Sequence, residues 1–89
     1  MAVIYSDHAW DQMIERGVSE AEVIDTLTTG TVTSGQRGRQ VTVKVHTAGY
    51  GHWGNVYRHK EVQAVHVQVT GETIIVTVKA RYGFWEGVS

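Results

Sequence analysis

Residues 61–81, EVQAVHVQVTGETIIVTVKAR, decide the fold of this chain. Before the central break, Val65, Val67 and Val69 alternate with Ala64, His66 and Gln68. After it, Ile74, Val76, Val78 and Ala80 alternate with Ile75, Thr77, Lys79 and Arg81. Side chains on a strand point alternately to its two faces, and β-branched residues suit a pleated surface. The stretch therefore predicts two antiparallel strands joined by a tight turn. A type II′ turn at Gly71-Glu72 is preferred, because it sets Val69 beside Ile74 and His66 beside Thr77. The alternative turn, Thr70-Gly71, sets His66 beside Ile75. Upstream, RQVTVKVHT at 39–47 repeats the alternation, with Val41, Val43 and Val45 on one face and Thr42, Lys44 and His46 on the other. Strands are expected over about 39–47, 56–69 and 73–82.

The first thirty residues follow a helical period instead. Ala9, Trp10, Met13 and Ile14 form one apolar stripe of a helix over about 6–16, capped by Ser6 and ended by Gly17. VSEAEV at 18–23 supplies a capping box, Ser19 with Glu22, and a hydrophobic staple, Val18 with Val23. It opens a second helix over about 20–29, continued by Ile24 and Leu27 and stopped at Gly30. The expected fold is α+β: two N-terminal helices packed on one face of a 3–4-stranded antiparallel sheet, in a single domain spanning residues 1–89. The valine face is the one the helices are expected to cover.

Composition narrows the function classes. The 89 residues include no cysteine and no proline, which excludes disulfides, thiolate zinc sites and a cysteine nucleophile. The opening MAVIYSDHAW lacks a basic region and a long apolar run, so a cytoplasmic protein without membrane attachment is expected. Charge is unevenly distributed. Residues 1–30 carry one cation, Arg16, against six acids, and residues 31–89 carry seven cations against three acids. Such asymmetry suits self-complementary docking, a face meant for an anion, or charges simply spread over solvated faces.

The uncovered face is expected to collect Thr42, Lys44, His46, His66, Gln68, Thr77, Lys79 and Arg81, with no acid among them. It reads either as a basic solvated face or as a shallow anion site. In the second case Lys44, Lys79 and Arg81 hold phosphate, His66 moves protons and Thr77 donates a hydrogen bond. Metal-independent RNA cleavage needs that set of groups. His8, in the first turn of the first helix, is either an idle surface histidine or a second proton-transfer candidate. His46 and His66 have no acidic companion and no ligand spacing, so neither a metal nor a cofactor is expected. Trp10 is assigned to the core. Tyr50, Trp53 and Trp85, near glycines, are candidates to dock a base or a protein partner, and for Trp53 and Trp85 packing against the sheet edge is the equal alternative. The stretch AGYGHWGNV at 48–56 fits the phosphate-loop pattern G-x-G-x-x-G, but the residues after it are strand-like rather than helical. It is expected to be a hairpin tip.

SDHAWDQMIERGVSEAEVIDTL at 6–27 resembles the opening S-x-H-A-x-x-R-M-x-x-R-G-[IV]-S-x-x-x-[IV] of a family of small uncharacterised domains found in bacteria, phages and toxin loci. KEVQAVHVQVTGETIIVTVKARYG at 60–83 resembles that family's closing strands. Gln12 stands where the family often has arginine, and neither resembling stretch extends into residues 31–58. The resemblance implies a domain similar to the barnase/colicin/RelE-like ribonuclease toxins, with His8, Arg16, Thr77 and Tyr82 in the site. Arg16 is read either as a phosphate ligand or as a cap on its own helix. The expected function is a toxin-like metal-independent endoribonuclease or RNA-binding protein, with RNA and a cognate antitoxin as partners. The alternative is a non-enzymatic protein-interaction module, such as a phage-encoded inhibitor or an immunity-like protein. A homodimer through an edge strand is compatible with either.

Overall fold

The computed structural model describes residues 2–35, 38–52 and 54–84. The elements are β1 (Ala2–Tyr5), α1 (Asp7–Arg16), α2 (Glu20–Thr29), β2 (Thr31–Ser34), β3 (Gln40–His52), β4 (Asn55–Val69) and β5 (Glu72–Gly83). One five-stranded sheet runs in the order β1-β5-β4-β3-β2. Its pairs are antiparallel except β1, which lies parallel to β5. The α+β class and the N-terminal helices agree with the sequence, but the sheet has more strands than expected. β1 and β2 are four residues each, too short for an alternation to mark them.

The helix ends form as their residues dictate. Ser6 Oγ accepts the Ala9 N–H at 3.0 Å, and Gly17 closes α1 in the left-handed region at φ 69°. Ser19 and Glu22 complete the reciprocal capping box of α2, with Val18 and Val23 both buried beside it. The apolar stripe of α1 is narrower than expected. Ala9 and Met13 enter the core, whereas Trp10 is 43% exposed and leans on Tyr5 with ring centroids 5.2 Å apart. Ile14 points outward.

The β4–β5 hairpin turns at Thr70-Gly71, not at Gly71-Glu72. Both turn residues have positive φ, 46° and 78°, which is the signature of a type I′ turn. Its twist matches that of the strands, and this outweighs the apolar pairing that favoured the other turn. His66 accordingly sits opposite Ile75, and Val69 opposite Glu72. Val65 then pairs with Thr77, leaving Val76 as an extra residue on β5. That bulge reverses the facing of β5 partway along its length, so Ile75 and Val78 share one face.

The helices cover the opposite sheet face from the one the alternation predicts. Beneath them lie Thr42, His66, Thr73, Lys60, Val62, Ala64, Ile75 and Val78, all buried. Ala9, Met13, Val18 and Val23 pack on the apolar members of that set. Val41, Val43, Val45, Val65, Val67 and Ile74 line the other face, which no described element covers. The stretch 48–56 is strand on both sides of a two-residue connection. Gly51 pairs with Val56, His52 pairs with Asn55, and a register shift interrupts pairing between Thr47 and Tyr50. A strand, β4, follows it where a dinucleotide loop would open a helix.

Candidate functional site

Two polar clusters flank the sheet, one on each face. The first lies under α2, an acid-bearing helix set over cationic strands. Lys60, 2% exposed, donates to Gly17 O at 2.5 Å and to Glu22 Oε1 at 2.9 Å. Lys44 donates to Asp25 Oδ2 at 2.5 Å and to Thr29 Oγ1 at 2.7 Å. His46 Nε2 lies 3.1 Å from Thr26 Oγ1. The Thr26 hydroxyl already donates to Glu22 O at 2.7 Å, so the imidazole must be the donor there and its Nε2 carries the proton. Its Nδ1 faces Asp25 Oδ2 at 3.6 Å, an acidic companion the sequence did not reveal. Farther along the same face, His66 Nε2 and Thr42 Oγ1 are 2.8 Å apart, both buried, while His66 Nδ1 is buried without a partner.

Electrostatics reflect this packing. Burial pushes the His66 imidazole below its usual range. Burial also dominates at His46 and lowers it, although Glu22 and Asp25 pull the other way. For Glu22 burial opposes ionisation, yet Lys60 and the Ser19 N–H outweigh it and hold the carboxyl below the ordinary range. The hydrogen bond from Lys44 does the same for Asp25. The cluster is thus a latch of matched ion pairs and histidines whose pKa burial lowers.

These contacts correct the expected site. Lys44, His46 and His66 do not belong to an open anion face; α2 engages the first two, and His66 is closed in with Thr42. Gln68 shares that face and donates to Thr73. Arg16 neither caps its own helix nor faces outward. Its Nη1 donates to Val78 O on β5 at 3.0 Å, and it is Tyr82 that donates its hydroxyl to Arg16 O, at 2.5 Å. Arg16 and Tyr82 therefore meet, but Thr77 lies across the sheet from them. His8 is exposed on the first turn of α1. The four positions that the family resemblance joins do not form one constellation. The Tyr50 side chain and residues Trp53 and Trp85 lie outside what the structure describes.

The second cluster sits on the open face. Glu61 pairs with Arg81, Gln63 with Lys79, and Val65 with Thr77 across β4 and β5. Gln63 Nε2 donates to Glu61 Oε1 at 3.0 Å, and Arg81 Nη2 to Glu61 Oε2 at 3.3 Å. Glu61, Gln63, Lys79, Ala80 and Arg81 line a shallow depression of about 520 Å³. The open face thus includes an acid, contrary to expectation. The sequence did hold the signal, since Glu61 lies four residues before Val65 and shares its face. Its middle is aliphatic, with Ile4 at 45% exposure on β1, while Thr31 and Thr33 of β2 and Glu72 of β5 border it. Among the described residues no group of three or more His, Asp or Glu side chains is placed to hold a metal ion. None of their helices is long and apolar enough to cross a membrane.

Two helices on one face of a five-stranded, mainly antiparallel sheet define a small α+β domain whose other sheet face no described element covers. Over residues 5–79 the chain matches the model of a family described as Domain of unknown function (DUF4258), and it belongs to that family. Neither a curated protein nor a solved structure matches the chain. The family agrees with the resemblance read from the two end segments, whereas the likeness to ribonuclease toxins gains no support from these comparisons.

Proposed function

We propose that the chain is a non-enzymatic protein-interaction module that docks through its open sheet face. The observation that carries this reading is a second aliphatic cluster, on the sheet face away from the helices. A sheet with one solvated face ordinarily turns its apolar residues toward its helices and its polar residues toward water. Here the helix side holds the core residues Val62, Ala64, Ile75 and Val78 together with Lys44, His46, Lys60 and His66, while Val41, Val43, Val65, Val67, Ile74 and Ile4 lie together on the face that no described element covers. Covering a valine or isoleucine contributes about 1.5–3 kcal/mol when burial is complete. A contiguous aliphatic face on a small domain is a place where another surface fits.

The dye anilinonaphthalene sulfonate tests whether that face is available. At high dilution the wild-type chain should enhance its fluorescence. The Val43→Lys/Val65→Lys variant should lose most of the signal while keeping its far-ultraviolet circular dichroism. A wild type that leaves the dye dark at every concentration would sink the reading.

One specific observation favours a second reading, RNA cleavage at the polar corner. Glu61 is a carboxylate able to take a 2′-hydroxyl proton, and Lys79 and Arg81 are cations suited to a phosphate, with Thr77 in the next row. Under this reading purified protein degrades RNA in EDTA, and Glu61→Gln and Lys79→Ala each lower the rate by about 100-fold or more. Intact RNA after prolonged incubation removes it.

A further inference from the structure

We propose that the occupant of the open face is a second copy of this chain, the two sheets packing face to face about a two-fold axis. The inference rests on the interaction reading above and names the partner.

The outer edge of β5 is already occupied along the reach of α1, which argues against pairing there. β1 pairs along Glu72–Ile75, and Ser6 continues the seal by donating its N–H to Ile75 O and its hydroxyl to Val76 O, each at 3.0 Å. Gln12 Oε1 then accepts the Val78 N–H at 3.0 Å, while Arg16 donates to Val78 O. Side chains of α1 thus stand in for a missing strand. The two edge strands of the sheet, β1 and β2, are only four residues long each. Pairing at either edge is therefore short, and the face offers the longer contact.

The face has suitable dimensions. Three strands of about seven residues and two of four, spaced about 4.8 Å apart with about 3.3 Å rise, give a projected footprint of roughly 450 Å². That is below the roughly 800 Å² per partner of a standard interface and suits a weak, concentration-dependent dimer. Aliphatic ridges of β-branched residues interdigitate when two sheets stack about 10 Å apart.

Charge favours a second copy over an acidic partner. A two-fold axis brings the same patch to itself, so a uniformly basic face would repel its mate. The aliphatic middle is uncharged, and the groups around it hold both signs, Glu61 beside Lys79 and Arg81 at one corner and Glu72 beside Val69 at the turn. The acid-rich helices lie on the far side of each sheet and end up on the two outer surfaces, apart from one another.

Sedimentation velocity on the full chain from about 1 to 300 µM tests the proposal. The wild type should pass from monomer to dimer, with dye enhancement falling in step. Val43→Lys and Val65→Lys should each weaken the dimer at least about 100-fold. Ile14→Lys, the same change on the outer surface of α1, should leave assembly unaltered and control for folding. A wild type that stays monomeric throughout yet still lights the dye overturns the second-copy proposal and leaves the interaction reading standing. A monomer that never binds the dye overturns both. A dimer insensitive to both β-strand lysines places the contact elsewhere and also overturns the proposal.

Discussion

Lys60 shows how much one residue can depend on its neighbours. Its stem runs beneath α2, and its ammonium meets Glu22 and the Gly17 carbonyl with 3% of the side chain exposed. Removing one partner of such a pair leaves the other charge without compensation. Lys60→Met should lower unfolding stability by about 2–4 kcal/mol, at the lower end if Glu22 relaxes toward water. The shift in urea midpoint at neutral pH measures it. His66 makes a pH-dependent contribution. Burial lowers its folded pKa, so the unfolded chain takes up a proton that the folded chain refuses. The stabilisation is complete above the unfolded value of about 6.5 and is lost as pH falls below it. His46 acts in the same direction, and the lowered carboxyls of Glu22 and Asp25 extend the loss through the carboxylate range. The urea midpoint should therefore be flat from about pH 8 to 7 and decline from about 6.5 downward. His66→Gln should flatten the upper part of that decline.

Among the elements, the joins are more sensitive than the spans. Gly30 links α2 to β2, and a Cβ there would press on the carbonyl oxygens of Thr26 and Val43, the latter at 2.7 Å. Neither is the end of a flexible side chain. Gly30→Ala should cost about 3 kcal/mol, because backbone must move. Gly71 has open space around it and φ 78°, so Gly71→Ala should cost only the left-handed penalty of about 1–2 kcal/mol. Comparing the two by chemical denaturation separates crowding from backbone strain. The elements also show where the sequence was readable. Ser6, Gly17, Ser19 with Glu22, and the staple valines marked both helices to within a residue, because capping is a local interaction. β1 and β2 carried no such mark. The Val76 bulge was equally silent, since nothing in TIIVTVKAR distinguishes the residue that the partner strand skips.

For the whole molecule, the acid-rich helices and the cation-bearing strands are parts of one design. Glu22 and Asp25 on α2 find Lys60, Lys44 and His46 beneath them, and this match selects the sheet face that the helix covers. If a second copy covers the other face, apparent stability depends on protein concentration by mass action. The thermal midpoint should rise by several degrees between about 5 and 200 µM, whereas Val43→Lys should remove that dependence. Differential scanning calorimetry at the two concentrations checks it.

The sequence by itself determined the helices, their caps, the three long strands and the two sets of side chains on each strand. All of these arise from interactions a few residues long. Which set turned inward was a tertiary decision. Both sets contain β-branched residues, so hydrophobicity alone favoured the valine-rich one. The helix side combines Val62, Ala64 and Ile75 with the Lys60–Glu22 pair, and the bulge at Val76 brings Val78 onto it. The candidate site moved with that choice, from a supposed cluster of histidines and lysines to the aliphatic face and its Glu61–Arg81 corner.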